Sequence, residues 1–236
     1  MSLGETASSP RRPRTQRGEP ALQVLIVDDH PVTRVGLHEL LRGERDILVC
    51  GEAADAEEAI EVAARLKPDL AVVDISMRGV NGLELIKTLR SRLKSVQILV
   101  LSMHDEALYA ERALRAGAKG YVMKNESADT ILEAVRSVAR GQVYFSERIG
   151  ERIAKGVAGG RPLFDAAPLK KLTDRELEVF EFIGRGVPTR EIADRLHLSV
   201  KTIEAHRSKI KKKLRLISGV ELLQRAVQWV QSGKVS

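Results

Sequence analysis

The sequence predicts a doubly wound α/β unit on a five-stranded parallel sheet, followed by an all-α unit of four helices with a helix-turn-helix. Three observations predict it. Five short apolar runs alternate with segments of helical periodicity between residues 22 and 140. From Leu169 onward only helical patterns occur, punctuated by capping residues. Charge is also divided: residues 169–236 carry 15 basic and 8 acidic side chains, a net +7, whereas residues 21–168 carry a net −2.

The apolar runs are LQVLIV (22–27), ILVCGEA (47–53), LAVVD (70–74), QILVLS (97–102) and KGYVMK (119–124). Runs of Val, Ile and Leu without polar alternation suit strands buried on both faces. The segments between them place apolar residues three and four apart. Val35, Leu37, Leu40 and Leu41 form the first set; Ala59, Ile60, Val62, Ala63 and Leu66, ended by Pro68, form the second. Leu83, Leu85, Ile86 and Leu89 follow, then Ala110, Ala113, Leu114 and Ala116, then Ile131, Leu132, Val135 and Val138, with a stop near Gly141. Strand–helix alternation of this kind gives a parallel sheet with right-handed crossovers and helices on both faces. Within residues 142–168, Ser146 is expected to cap a short helix to about Lys155, with Ile149, Ile153 and Val157 on one side. VAGGRPLFDAAP then has the Gly and Pro content of a linker. In the last segment, Thr173 with Glu176 forms a capping box for a helix to about Arg185. Pro188 opens a second helix to about His197, Ser199 caps a third through Leu214, and Ser218 caps a fourth to about Val230. The short turn at 197–199 between the middle pair is the helix-turn-helix spacing.

With 43% apolar and 30% charged residues, the composition is that of a soluble globular protein with length for two cores. The single cysteine, Cys50, excludes an intramolecular disulfide and reads as a small buried hydrophobe. Residues 1–20 hold four arginines and no apolar run, so they read as a disordered basic tail rather than a secretory signal. No stretch approaches the ~18 apolar residues of a membrane span, and the expected location is cytoplasmic. Positive charge gathered in the last 68 residues points to a polyanionic partner for that segment.

In a doubly wound sheet, functional groups gather beyond the C-terminal ends of the strands. There the first strand ends in Asp28–Asp29, the third in Asp74, the fourth in Ser102 and the fifth in Lys124. Carboxylates on neighbouring strand ends repel one another unless a cation neutralises them, and hard oxygen donors favour Mg2+. One of them can then act as nucleophile toward a phosphoryl group whose charge is shared by metal, lysine and hydroxyl; Asp74 is placed for that role. A nucleotide-binding site would need a glycine-rich loop after the first strand, where Asp-Asp-His-Pro stands.

Residues 22–140 resemble the flavodoxin-like receiver domain of two-component systems, and VDDHPVTRVGL (27–37), DISMRGVNGLEL (74–85), LSMHDE (101–106) and AKGYVMK (118–124) resemble the NarL/FixJ subfamily. The resemblance implies that Asp74 is phosphorylated by a histidine kinase, with Mg2+ held by Asp28, Asp29, Asp74 and the backbone carbonyl of Ser76. It implies that Lys124 pairs with the phosphoryl group, that Ser102 moves to hydrogen-bond it, and that Tyr121 changes rotamer with that movement. Arg78 departs from the family, which usually has proline there, and leaves that loop without a fixed φ.

On the third C-terminal helix, Val200, Ile203, Ile210 and Leu214 fall on one side of the wheel, with Arg207 among them, and Lys201, Thr202, Ala205, Ser208, Lys209 and Lys212 on the other. Such a helix packs by one face and offers cations, hydroxyls and small side chains to a major groove. Residues 172–216 resemble the LuxR-type DNA-binding domain, in LTxRE, EIAxxL and LSxxTIxxH. That resemblance implies that Lys201, Glu204, Ala205 and Ser208 face bases and that Thr202, His206, Lys209 and Lys213 lie nearer phosphate. It makes Glu176 a structural hydrogen-bonding residue and the fourth helix a dimer contact.

The expected organisation is therefore a tail (1–20), a receiver domain (21–141), a linker with a short helix (142–168) and a LuxR-type domain (169–236). The expected function is a response regulator that is not an enzyme beyond its own phosphoryl transfer and hydrolysis, with double-stranded DNA and a histidine kinase as partners. Homodimerisation is expected on phosphorylation or on DNA, with no membrane partner. Occlusion of the recognition helix by the unphosphorylated receiver would fit. A phosphatase of the haloacid-dehalogenase type would need an acid two residues after Asp74, where Ser76 stands. A constitutive DNA-binding protein has no use for the intact acidic set.

Overall fold

A computed structural model describes residues 20–77, 80–104, 106–147, 149–151 and 169–233. The tail before residue 20, Arg78, and most of the linker, Ile153 and Val157 included, lie outside the described residues.

The first domain alternates β1 (Leu22–Val27), α1 (Pro31–Arg42), β2 (Ile47–Ala53), α2 (Ala56–Leu66), β3 (Leu70–Val73), α3 (Gly82–Arg92), β4 (Gln97–Ser102), α4 (Glu106–Ala116), β5 (Gly120–Met123) and α5 (Ala128–Ala139). All neighbouring strands are parallel, in the order β2-β1-β3-β4-β5. The two faces are divided by strand pleat. Leu25, Val27, Ala71, Val73, Ile98 and Val100 pack toward α2, α3 and α4, whereas Val24, Ile26, Val72, Leu99 and Leu101 pack toward α1 and α5. Each such Val, Leu or Ile contributes roughly 1.5–3 kcal/mol on burial.

The helix starts follow from their caps. Asp55 accepts from Glu57 and Glu58 N, Asn81 from Leu83 N, and Ser127 from Thr130 N. α1 instead begins on Pro31, whose missing N–H is no loss at that position. Cys50 is the extra residue where the β1–β2 register shifts, since Val24 pairs with Val49 and Leu25 with Gly51. It is half-buried rather than buried, and its thiol donates to Val24 O at 3.4 Å. After α5, Ser146 Oγ accepts from Ile149 N and Ile149 is buried against Ala110, the beginning of the expected linker helix.

A short 3-10 turn (Leu169–Lys171) leads into α6 (Asp174–Gly184), α7 (Thr189–Arg195), α8 (Val200–Leu214) and α9 (Gly219–Gly233). The expected capping box is present: Thr173 Oγ1 accepts from Glu176 N and Glu176 returns a bond to Thr173 N. α7 is shorter than its periodicity suggested, because Pro188 is its N-cap and His197 already has φ of +52°. α9 runs on to Gly233, past the expected end near Val230. Phe180, Ile192, Ile203, Ile210, Leu222 and Ala226 form the core of this domain. α6 and α9 cross closely at Gly184, where a Cβ would lie 2.4 Å from Ala226 O.

Candidate functional site

The sheet delivers its acids to one rim. Asp28 and Asp29 follow β1 and Asp74 follows β3, which lies beside β1; all three are buried. Donor atoms of Asp28, Asp29, His30 and Asp74 lie within 4.8 Å of one another. Lys124, just past β5, reaches back over the rim. Its Nζ lies 2.6 Å from Asp28 Oδ2 and 2.7 Å from Asp74 Oδ2. Ser102, at the end of β4, is fully buried.

Burial is the strongest influence on Asp74 and pushes its carboxyl above the usual range; Lys124 opposes that and Asp28 adds to it. Burial also works against the Lys124 ammonium, but Asp74 and Asp28 outweigh it and raise it above an ordinary lysine. Asp74 Oδ1 is buried with no hydrogen-bond partner among the described residues. An orphaned, desolvated carboxylate oxygen beside two further carboxylates fits a hard divalent cation, which would supply the missing charge and ligation. The approach of the loop to Asp74 depends on Gly82. Its N–H donates to Ile75 O at 2.8 Å, and a Cβ there would lie 2.0 Å from Asp74 O.

Tyr121 is buried and points inward, with its hydroxyl donating to His104 O at 2.8 Å. His104 N in turn donates to Ser102 Oγ at 3.3 Å. Ser102, His104 and Tyr121 are thus one hydrogen-bonded chain beside Asp74.

In the second domain, Lys201, Glu204, Ala205, Ser208 and Lys209 are exposed along α8, while Thr202, His206 and Lys213 are half-buried. Ser199 caps α8 through Thr202 N, and Arg207 on the inner side donates to Thr189 Oγ1. Lys213 Nζ is held by Glu176 Oε2 at 2.5 Å. Burial, followed by Lys209 and Arg175, lowers the His206 imidazole below its usual value, so its ring is neutral near pH 7.

The domains touch, but not through the recognition helix whose occlusion was expected. The sheet domain is met by α6 and by the turn after α7, where His197 Nε2 lies 3.8 Å from Asp29 Oδ2. Arg112 on α4 bonds Asp174 and the carbonyls of Leu169 and Leu172, and Lys87 on α3 also reaches Asp174. Glu178 and Glu181 of α6 bond Ser76, Asn81 and His104. The exposed face of α8 lies outside this contact.

An acidic rim with an opposed lysine on a 2-1-3-4-5 sheet, joined to a helix-turn-helix domain, defines a signal receiver coupled to a DNA-binding module. Residues 24–136 match the response regulator receiver domain, and residues 170–226 match the bacterial regulatory proteins of the luxR family. The chain belongs to the two-component response regulators of the NarL/FixJ subfamily, which regulate transcription. It is 35% identical over 217 residues to the nitrate/nitrite response regulator protein NarL of Escherichia coli (strain K12), covering 92% of this chain and 98% of that protein. It is 35% identical over 211 residues to the oxygen regulatory protein NreC of Staphylococcus haemolyticus, covering 88% and 97%. Among solved structures, RcsB from Salmonella enterica serovar Typhimurium, bound to promoter rprA in the presence of phosphomimetic BeF3-, aligns with TM-score 0.56 and 27% identity over 87% of this chain and 98% of that one. No helix among the described residues is long and apolar enough to cross a membrane.

Proposed function

We propose that Asp74 is the phosphoacceptor and that its phosphorylation by a histidine kinase controls sequence-specific binding of double-stranded DNA by residues 169–236. The observation that carries this reading is the state of Asp74: one carboxylate oxygen is held by Lys124 and the other is buried without a partner among the described residues, at the strand end beside Asp28 and Asp29. Asp28, Asp29, Asp74 and the carbonyl of Ser76 would hold Mg2+, which shares the charge of the incoming phosphoryl group. Lys124 is placed to pair with that group, and Ser102 to hydrogen-bond it through a shift passed to His104 and Tyr121. Asp74 attacks phosphorus, the bond to the donor breaks, and the donor leaves with the electron pair. The chain acts on no other substrate, and hydrolysis of its own aspartyl phosphate resets it.

On the DNA side, Lys201, Glu204, Ala205 and Ser208 are disposed for base edges, and Thr202 and Lys209 for phosphate. Lys213 must leave Glu176 to join them, and a neutral His206 would serve only as a hydrogen-bonding group. Ile217, Val220 and Leu223 at and near the start of α9 are exposed, which supports homodimerisation there on phosphorylation or on DNA. Two recognition helices would then read half-sites about 34 Å apart. The functional units are residues 21–141 and 169–236, joined by 142–168 and preceded by the basic tail, in a cytoplasmic protein.

Acetyl phosphate labelling with Mg2+ tests the acceptor. Wild type is expected to take up label and Asp74→Asn to take up none; equal labelling of the two would overturn the assignment.

A further inference from the structure

His30 follows the acid pair and is the N-cap of α1, with extended backbone at φ −91° and ψ 109°. A side chain in that position ordinarily accepts from the first turn of its helix, and the imidazole of His30 makes no such bond. Its backbone N–H donates to Asp28 Oδ1 at 2.8 Å, and its ring turns toward the acids: Nδ1 lies 2.8 Å from Asp29 Oδ1 and 3.3 Å from Asp28 Oδ1. Pro31 comes next and restrains the chain there, so the ring starts from a fixed backbone. Asp28, Asp29 and Asp74 are buried, whereas 57% of the His30 side chain faces water. His30 thus forms the wall of the acid site on its solvent side, where a cation would enter.

The dimensions and the charge both suit one dication. Donors on opposite sides of a six-coordinate ion, each roughly 2.0–2.4 Å from it, stand about 4–5 Å apart. The donor atoms of Asp28, Asp29, His30 and Asp74 all fall within 4.8 Å of one another. Three ionised carboxylates against the Lys124 ammonium leave two negative charges, and a neutral imidazole adds a donor without adding charge. Asp74 Oδ1, buried with no hydrogen-bond partner among the described residues, points independently to a ligand at this place. The kind of donor then separates one dication from another. Carboxylates alone suit Mg2+, which is hard and dehydrates reluctantly. An imidazole nitrogen is a softer donor and gains more from a first-row transition ion.

We propose that His30 is a fourth ligand of this site and makes it take first-row transition dications, Mn2+ among them, in preference to Mg2+. The proposal rests on these acids holding the cation of phosphoryl transfer, and it is independent of which residue accepts the phosphoryl group. The competing arrangement is an imidazolium paired with Asp28 and Asp29, which an entering cation would expel. The two differ in whether nitrogen stays on the metal. A second imidazole stands further off: His197 Nε2 lies 3.8 Å from Asp29 Oδ2.

The test loads the full chain with Mn2+ and reads electron paramagnetic resonance, comparing wild type, His30→Phe and His197→Phe. Spin-echo modulation by an imidazole nitrogen is expected in wild type and in His197→Phe, and none in His30→Phe. Displacement of bound Mn2+ by added Mg2+ gives the relative affinity, and the preference for Mn2+ should fall about 10- to 100-fold in His30→Phe. Bound Mn2+ without nitrogen modulation in wild type, or modulation that survives in His30→Phe and disappears in His197→Phe, would overturn the assignment of His30. An unchanged preference in His30→Phe would overturn the selectivity, and wild type that leaves all Mn2+ free would overturn the site itself. Acetyl phosphate labelling of Asp74→Asn is read separately: label there would overturn the acceptor, while the nitrogen signal still decides His30. Should His30→Phe fail to fold by circular dichroism, His30→Gln, which keeps a polar side chain without an imidazole, decides in its place.

Discussion

Replacing Lys124 by methionine removes an ammonium that neutralises two buried carboxylates at once. Its side chain is 8% exposed, and its Nζ lies 2.6 and 2.7 Å from Asp28 and Asp74. At an effective dielectric constant near 20, each contact is worth about 6 kcal/mol of gross attraction, much of it offset by desolvation of the ions. Deleting one member of such a set typically costs ~3–5 kcal/mol, because the others remain buried without their counter-charge. For a domain of this size that is a fall of roughly 10–20 °C in melting midpoint. The chain offers a clean optical separation. All three tyrosines (Tyr109, Tyr121 and Tyr144) lie in the sheet domain and its C-terminal extension, and Trp229 lies in α9. Near-ultraviolet dichroism of tyrosine should therefore report the fall, with Trp229 fluorescence shifted less. Millimolar Mg2+ should recover a good part of the loss, since a divalent cation restores charge to the same acids. A tyrosine midpoint equal to wild type at neutral pH without metal would refute the reasoning.

Gly82→Ala places a Cβ 2.0 Å from Asp74 O, so the loop must shift by an ångström or more; acetyl phosphate labelling should fall about 100-fold, with Trp229 emission unchanged. Glu176 is held below the usual carboxylate range: burial works the other way but is outweighed by hydrogen bonds from Lys213 and Thr173. An acid depressed in the folded state adds stability above its unfolded value and loses it as pH falls through the folded one. Glu176→Gln should therefore cost about 1.5–3 kcal/mol at pH 7, read from urea unfolding of Trp229 fluorescence, and the gap to wild type should close on acidification below the ordinary glutamate range. Lys201→Ala and Lys209→Ala should each weaken DNA binding. A phosphate contact at Lys209 would reduce the slope of log affinity against log salt by about 1, whereas a base contact at Lys201 would show as relaxed sequence preference in competition titrations.

The acidic rim was legible because it is written in chain order. Strands buried on both faces read as unbroken Val, Ile and Leu, and each ends at the residue that matters: Asp28, Asp74, Ser102 and Lys124. Likewise the Thr173–Glu176 pair and Ser199 marked two helix starts within a residue, since caps act locally. The residues of the contact between the domains were not legible. Ser76 and Glu178 are 102 residues apart, and His104 and Glu181 are 77 apart, so no local pattern joins them. Carboxylates on a helix ordinarily mark its solvated side, and that habit hid Glu178 and Glu181. One signal was available: Leu177, Val179, Phe180, Phe182 and Ile183 surround the two acids, leaving no helix face polar enough to be exposed. The ring of Tyr121 gave no sign of direction either, because the strand pattern allows both inward and outward aromatics. Its inward position follows from the carbonyl of His104, which only the folded loop supplies.

The chemistry of the face of α6 that meets the sheet domain also determines what the protein looks like once its domains part. That face mixes Leu177, which packs into the cluster under the sheet, and Phe182, whose ring lies 6.2 Å from that of His104, with the carboxylates of Glu178 and Glu181 and with Asp174 and Arg175. Parting the domains would therefore hydrate two buried carboxylates as well as expose apolar surface. Hydration of those ions would offset part of the cost of exposing the apolar residues, so such a joint opens and reforms more readily than one built of hydrocarbon alone. Leucines in place of the acids would have made the joint tighter and turned a reversible signal into a permanent assembly.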